Sequence, residues 1–161
     1  KSVAARVKRV FRKSSLLSSI HYALSKGGTP HEDLGNEILC VDDDPEILVF
    51  IRRCLENEGY AVATTSSGDE ALRLAAQRRF AVVLLDVAMP GRDGWETCRK
   101  LKGDPALKGI KVYMVTAKPV DPSNLRSQDS HADGYLLKPF HPDDLLELVR
   151  SIDSVYPVRE A

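Results

Sequence analysis

Short apolar runs alternate with amphipathic or polar stretches along most of the chain, and this alternation constrains the fold most strongly. Five runs have the length and composition of buried strands, and each is followed by a segment with helical or turn-like character. The predicted strands cover residues 38–41, 60–64, 80–85, 111–115 and 135–137. Strands that alternate with helices indicate parallel strands with right-handed crossovers and helices on both faces of one sheet.

Helix start signals follow the predicted strands. The sequence DPE at residues 44–46 supplies a capping acid, a proline at the first helical position and a second acid at the positive end of the helix dipole. Ser67 and Glu70 have the spacing of a capping box. Further helices are predicted around residues 95–102 and, with a more polar sequence, at 122–129. The sequence HPDD at 141–144 opens a fifth and last helix, which carries apolar residues up to Ile152. Together these signals predict an α/β fold of five strand–helix units.

Composition excludes several classes of protein. The chain has 161 residues, of which 43% are hydrophobic. That fits one ordinary domain with some residues to spare and excludes a wholly disordered chain. No apolar run is long enough for a transmembrane helix. Cys40, Cys54 and Cys98 are too few and too scattered for a disulfide framework or a zinc cluster, so we expect thiols in a reducing, cytoplasmic location.

A zero net charge hides a strong asymmetry. Residues 1–28 carry seven basic side chains and no acidic one, whereas the rest of the chain has an excess of seven acidic groups. We therefore predict a basic, amphipathic helical arm at 1–28, a polar linker at 29–36, one domain at 37–156 and a short tail at 157–161. A chain that starts at Lys1 also leaves open that a longer protein precedes it.

The arm has an apolar stripe, which leaves three interpretations open. The stripe has near-heptad spacing and consists of Val3, Val7, Val10, Leu17 and Leu24. An amphipathic helix of this kind can pack on the domain or pair with a second copy of the chain. It can also be the tail of an upstream module. Binding to a membrane surface or to nucleic acid is disfavoured, because aromatic residues are sparse and no DNA-binding motif is visible.

Polar side chains gather where the predicted strands end. Asp42 and Asp43 follow the first strand, Asp86 follows the third, Thr116 the fourth and Lys138 the fifth. Because the carboxyl ends of parallel strands share one edge of the sheet, we expect these side chains to lie together. Single acids at such positions are also common turn residues, but three in one cleft repel each other and raise at least one pKa unless a cation is present.

This set of residue types suits acyl-phosphate chemistry. Mg²⁺ prefers one or two carboxylates together with water and phosphate oxygens. An aspartate can act as the nucleophile toward phosphorus, while a lysine and a threonine hydroxyl bind the remaining phosphoryl oxygens. A lysine at this edge has a second interpretation as a structural ion pair, and a threonine at a strand end is also an ordinary strand residue.

Four motifs together resemble the response-regulator receiver domain of two-component signalling. They are VDDDP at 41–45, LLDVAMPGRDG at 84–94, VTA at 115–117 and DGYLLKPF at 133–140. Each alone is weak, but four in order at fitting spacing are highly specific. The resemblance covers about residues 37–156 and implies a flavodoxin-like doubly wound fold with five parallel strands in the order 2-1-3-4-5.

The resemblance also implies a metal site. Asp86 matches the phosphoacceptor, and Asp43 matches the acid that ligates Mg²⁺ directly. Asp42 matches the acid that helps through water, and the backbone carbonyl of Ala88 completes the ligands from the protein. These assignments are implied by the family and name Mg²⁺ as the expected cofactor.

Three further roles follow from the resemblance. Thr116 matches the hydroxyl that binds the phosphoryl group and moves with it, and Lys138 pairs with Asp86 or its phosphate. Tyr135 matches the aromatic switch that turns inward when Thr116 moves, although it also suits an exposed strand-edge residue. The bond between Lys138 and Pro139 is expected to be cis.

The function implied is a signalling switch. A histidine kinase or phosphotransfer protein would phosphorylate Asp86. The face formed by the fourth predicted helix, at 122–129, and the fifth strand would then change. The form implied is the receiver of a hybrid kinase or a response regulator without a C-terminal output domain, and not a turnover enzyme. A homodimer through the arm, or through the fourth helix, fifth strand and fifth helix, is left open. The alternative is a phosphorylation-independent pseudo-receiver or dimerisation scaffold.

Two positions differ from the commonest family pattern. Ala88 lies two residues beyond the phosphoacceptor, and Lys118 lies two beyond Thr116. Neither side chain positions or activates water as an amide or acid would, so we expect an altered lifetime of the phosphoryl group. Aspartyl-phosphate phosphatases need a second acid two residues after the nucleophile, and Ala88 argues against that class of enzyme.

Overall fold

The computed structural model describes residues 37–107, 109–118 and 131–155, without the side chains of 153–155. Four segments predicted above lie outside these residues: the arm at 1–28, the linker at 29–36, the helix at 122–129 and the tail at 157–161.

Strands and helices alternate as the sequence predicts. In chain order they are β1 (Glu37–Val41), α1 (Pro45–Asn57), β2 (Ala61–Thr65), α2 (Gly68–Gln77), β3 (Val82–Asp86), α3 (Gly94–Gly103), β4 (Lys111–Thr116), β5 (Gly134–Leu137) and α4 (Pro142–Val155). Each strand lies within two residues of its predicted limits. The largest difference is at Phe80, which is fully buried but precedes β3, with the Arg78 guanidinium 5.4 Å from the centre of its ring.

All strand pairs are parallel, and the order across the sheet is β2-β1-β3-β4-β5. The doubly wound topology and strand order implied by the sequence are therefore confirmed. β3 lies in the middle, and all five of its residues are buried. Such a strand, covered on both faces, reads as a continuous apolar run, which is how residues 80–85 appear in the sequence.

Two apolar cores hold the helices against opposite faces of the sheet. One core joins β1 through Leu39 to α2 and α3, with Leu101 of α3 fully buried. The other core joins β1 through Ile38 to α1 and α4, with Leu55 and Leu145 fully buried. Successive residues of β1 thus point to opposite cores, as the pleat of a strand requires.

The helix caps predicted from the sequence form, with one difference. Asp44 accepts a hydrogen bond from the Glu46 N–H, and Ser67 Oγ accepts one from the Glu70 N–H. The Glu70 carboxylate does not complete the capping box, because it pairs with Arg73 one turn further along α2. Glu70 and Arg73 are three residues apart on the helix, a spacing at which oppositely charged side chains meet. This ion pair replaces the bond that the Glu70 carboxylate would make to the Ser67 N–H.

Two backbone features lie near β5, and the first of them agrees with the sequence prediction. The bond between Lys138 and Pro139 is cis, and His131 is an exposed residue with a φ of 53°. In the described part of the chain, no helix combines the length and the apolar character needed to cross a membrane.

Candidate functional site

Four strands deliver polar side chains to the carboxyl edge of the sheet. Asp42 directly follows β1, and Asp86 is the last residue of β3. Thr116 is the last residue of β4, and Lys138 directly follows β5. Hydrogen bonds extend this edge beyond the strands, since the Asp42 N–H donates to Thr65 and the Lys138 N–H donates to Thr116. The parallel topology thus brings together residues that are up to 96 positions apart.

Three carboxylates meet at this edge. One oxygen from each of Asp42, Asp43 and Asp86 lies within 4.8 Å of the others. Asp42 and Asp86 are buried, at 2% and 5% exposure, whereas Asp43 is exposed. Two carboxylates of the cluster are therefore held in place by the surrounding fold, and the third leaves the cluster open to solvent on one side. Closely spaced carboxylate oxygens with an open side fit a hard divalent cation such as Mg²⁺.

The environment of Asp86 disfavours its charged form. Burial raises the pKa of Asp86 to about 6, and the negative charge of Asp42 adds to this effect. Lys138 and the backbone N–H of Ala88 oppose the shift but do not cancel it. The expectation that clustering raises at least one pKa is thus met, although burial contributes more than repulsion.

Lys138 is the cation that the described residues bring to this cluster. Its Nζ lies 2.7 Å from Asp42 Oδ2 and 3.4 Å from Asp86 Oδ1. Burial alone would lower the pKa of Lys138, but the hydrogen bond to Asp42 and the two negative charges outweigh it and raise the pKa. The family resemblance pairs this lysine with Asp86. Here it lies between the two acids and closer to Asp42.

The two acids of the first strand end have different surroundings. Asp42 Oδ1 accepts a hydrogen bond from the Asp44 N–H at 2.9 Å, while its other oxygen accepts one from Lys138. Both Asp42 oxygens are thus engaged by the protein. Asp43, at the same strand end, points its exposed carboxylate toward solvent and remains the more accessible ligand.

Thr116 and its neighbours form the opposite side of the site. The Thr116 hydroxyl accepts a hydrogen bond from the Lys118 N–H at 3.1 Å and lies 3.2 Å from the Lys118 carbonyl, to which it donates. These local bonds hold the loop after β4 close to the strand. Tyr135 is 37% exposed on β5, which matches the exposed strand-edge residue considered above.

The sequence reasoning assigned no role to Gly94, which supports the site from behind. A Cβ atom built on Gly94 would lie 2.0 Å from the backbone oxygen of Asp86. The Gly94 N–H also donates to the Val87 carbonyl. The first residue of α3 therefore packs directly on the backbone of the candidate nucleophile, and a side chain there would displace it. The available signal was the glycine that ends the motif at 84–94.

The comparisons with known proteins agree on one family. The family model described as "Response regulator receiver domain" matches residues 38–150. Among curated proteins, the chain is 35% identical over 120 residues to the DNA-binding response regulator MtrA of Mycolicibacterium smegmatis, which covers 74% of this chain and 51% of that protein. The chain spans about half the length of the curated relatives it matches.

Two solved structures show the same architecture. The signal receiver domain of a histidine kinase from Syntrophus aciditrophicus has a TM-score of 0.69 and 32% identity over 79% of this chain and 96% of that one. The response regulator TrrA of Thermotoga maritima, solved in complex with Mg²⁺–BeF, has a TM-score of 0.65 and 34% identity over 73% of this chain and 99% of that one. The chain described here belongs to the family of response-regulator receiver domains.

Proposed function

We propose that Asp86 accepts a phosphoryl group from a phosphohistidine on a histidine kinase or phosphotransfer protein. The observation that carries this proposal is the convergence of three carboxylates and Lys138 at the end of β3. Repulsion and burial make such a cluster costly for the fold. A site that binds a divalent cation and a phosphoryl group accounts for that cost.

The transfer step needs positioning and charge more than acid or base chemistry. An oxygen of Asp86 forms a bond to phosphorus while the bond from phosphorus to the donor imidazole nitrogen breaks. The bonding electrons go to that nitrogen, and the donor ring, already protonated at its other nitrogen, leaves as neutral imidazole. With a pKa of about 6, Asp86 is largely the reactive carboxylate at neutral pH. Lys138, 3.4 Å from Asp86, is positioned to neutralise an added phosphoryl oxygen, and Thr116 supplies a hydroxyl donor.

The acids also fit the cofactor expected from the sequence. Asp43 and Asp86 would hold Mg²⁺ directly with the Ala88 carbonyl, and Asp42 would contribute through water. When bound, the ion would neutralise negative charge on the transferring group. Both oxygens of Asp42 already accept hydrogen bonds, and Lys138 lies farther from Asp86 than from Asp42, which favours Asp43 and Asp86 as the direct ligands.

The switch itself is proposed from the same edge. Movement of Thr116 toward a phosphoryl group would break its two bonds to the Lys118 backbone and release the start of the loop after β4. Tyr135, one strand away and 37% exposed, would then turn inward. The face formed by β5 and the predicted helix at 122–129 would carry the signal.

We also propose which kinds of protein contain this domain and where in the cell it acts. One similar protein is named a DNA-binding response regulator and another a histidine kinase, so both a response regulator and a hybrid kinase are suitable contexts. We propose that the domain modifies its own Asp86 and does not turn over substrate. We also propose a reducing cytoplasmic location, which agrees with the lack of a disulfide bond at Cys40, Cys54 and Cys98 among the described residues.

Phosphorylation of the full chain by a small acyl-phosphate donor tests the proposal. The chain is incubated with Mg²⁺ and acetyl phosphate, and its intact mass is measured. We expect the mass of one phosphoryl group to be added to the wild type and to the Asp143→Asn control, whose acid is exposed on α4. We expect no addition to Asp86→Asn.

Two results would contradict the proposal. Addition of the phosphoryl group to Asp86→Asn would place the acceptor elsewhere. No addition to a folded wild-type chain that binds Mg²⁺ would favour the scaffold alternative, in which the domain acts through dimerisation without phosphorylation.

A further inference from the structure

An apolar strip is exposed along α1 and reaches Phe140, just before α4. Val49 and Phe50 on α1 are 49% and 38% exposed, and they are two of the four large apolar side chains exposed among the described residues. The Phe50 ring lies against Phe140, just before α4, with 5.9 Å between ring centroids and an angle of 47°. The two helices pack against each other below this strip. Apolar groups grouped in this way on a surface mark a contact site more than scattered ones do.

Acidic side chains surround the strip at the carboxyl edge of the sheet. Those exposed there are Asp43, Asp44, Glu46, Asp143, Asp144 and Glu147. The basic groups of these helices lie toward the other end, where Arg52 is 3.8 Å from Glu56 and Arg150 is 3.3 Å from Glu58. The α1–α4 face, meaning Val49, Phe50, Phe140 and these six acids, is therefore apolar in the centre and negative at the carboxyl edge.

We propose that the basic arm at residues 1–28 of the same chain binds the α1–α4 face. The arm combines an apolar stripe with seven basic side chains and no acid, which complements an apolar strip flanked by six acids. Six of the seven basic residues fall within the first 13 positions. Complementary charge then favours one orientation, with the basic half of the arm at the carboxyl edge.

The length and direction of the chain allow this orientation. β1 starts at Glu37, so the linker at 29–36 leaves the domain at the amino edge of the sheet. Eight linker residues can span about 26 Å, and α1 with 13 residues is about 20 Å long. A helical arm entering at the amino edge would place residue 13 about 22 Å from residue 28, beside the acidic end of α1.

The contact does not depend on phosphorylation of Asp86, so its test is independent of the proposed function. Zero-length carbodiimide cross-linking of the full chain joins lysines to carboxylates that form ion pairs. Peptide mass spectrometry should find Lys8 or Lys13 joined to Glu46, Asp143, Asp144 or Glu147. A mixture of isotopically light and heavy chains separates links within one chain from links between two chains. The expected links join peptides of equal isotope label, and they disappear at high salt.

A pair of matched variants tests the apolar part of the contact. Phe50→Ser should lower the yield of these links by about threefold or more, because it removes an apolar anchor. Leu137→Ser is the control, since Leu137 is 41% exposed on β5, away from the α1–α4 face. The control should leave the yield unchanged.

Three outcomes would overturn the proposal. Links found solely between light and heavy chains would show that the arm binds a second copy. Links to acids outside the α1–α4 face would place the arm elsewhere. Equal yields for Phe50→Ser and Leu137→Ser would show that attraction between charges alone, without this face, explains the links.

Discussion

The two edges of the sheet place an aspartate in opposite electrostatic environments. At the amino edge, Asp133 Oδ2 accepts a hydrogen bond from the Val112 N–H at 2.8 Å and from Lys102 Nζ at 2.9 Å. Its other oxygen lies 3.7 Å from Lys111 Nζ. At the carboxyl edge, Asp86 shares a single lysine with Asp42, and its pKa rises to about 6.

The difference separates a structural acid from the acid that we propose to be functional. Around Asp133, two lysines and an amide satisfy one carboxylate, so the group ties α3, β4 and the start of β5 together. Around Asp86, three carboxylates gather near one lysine, so negative charge exceeds the positive charge supplied by the described residues, and Asp43 is open to solvent. A cluster of acids with fewer cations than carboxylates is therefore a better indicator of a site than an acid whose charge is paired.

The largest effect is expected at the structural edge. Asp133→Ala removes the acceptor of the Val112 N–H and leaves two lysines without this partner, so the free energy of unfolding should fall by about 1–3 kcal/mol. Urea denaturation at pH 7.5 measures it. The control Asp143→Ala, at an exposed position of α4, should change stability by less than about 0.5 kcal/mol. If Asp133→Ala and Asp143→Ala lowered the free energy of unfolding equally, Asp133 would have no special structural role at the amino edge.

At the other edge, neutralising the acid should stabilise the protein. Because the folded-state pKa of Asp86 is raised, the folded chain loses stability as pH rises from about 4 to 6, and the full cost remains above pH 6. In metal-free buffer at pH 8, Asp86→Asn should therefore gain about 1–2 kcal/mol, and the gain should shrink toward pH 4. Asp133→Asn should lose stability at both pH values. A loss for Asp86→Asn at pH 8 would contradict the prediction.

Binding of Mg²⁺ should stabilise the protein through the carboxyl edge alone. At a Mg²⁺ concentration ten times the dissociation constant, the gain in unfolding free energy is about 1.4 kcal/mol. In thermal unfolding, Mg²⁺ should raise the Tm of the wild type. Mg²⁺ should leave the Tm of Asp43→Asn unchanged. Asp133→Asn should keep the increase despite its lower starting Tm. The prediction fails if the Asp133 variant loses the response and the Asp43 variant keeps it.

The smallest expected effect sharpens the role of the shared lysine. Lys138 opposes the rise in the Asp86 pKa, so Lys138→Met should move that pKa above its value of about 6. Carboxyl ¹³C NMR titration in metal-free buffer measures the change. A lower or unchanged value would mean that Lys138 serves Asp42 and has no electrostatic effect on Asp86.

Much of the fold was predictable because its signals are local. The apolar run at 80–85 and the caps at Asp44 and Ser67 each lie within a few residues, and the strands form close to their predicted limits. The strand order came from the motifs and their family resemblance. Phe80 was placed in β3 wrongly, since a buried aromatic beside a strand has the same sequence signal as one within it.

The site was predictable as a set of residues but not as a set of contacts. Residues that follow parallel strands must share an edge, so the grouping of Asp42, Asp86 and Lys138 follows from topology. Which acid lies closer to Lys138 depends on side-chain distances across three strands, and nothing in the sequence measures these. Asp133 was likewise missed, because its partners come from α3 and β4 and no short motif joins them.

The position of β3 has a consequence for hydrogen exchange. Asp86 ends a fully buried strand with neighbours on both sides, whereas Lys138 follows β5, a four-residue strand at the edge of the described sheet. Opening β3 breaks two strand ladders and opening β5 breaks one, so β3 amides should exchange on the timescale of global unfolding and β5 amides much sooner. The domain thus holds its candidate nucleophile on the central strand, while Lys138 follows an edge strand that opens sooner.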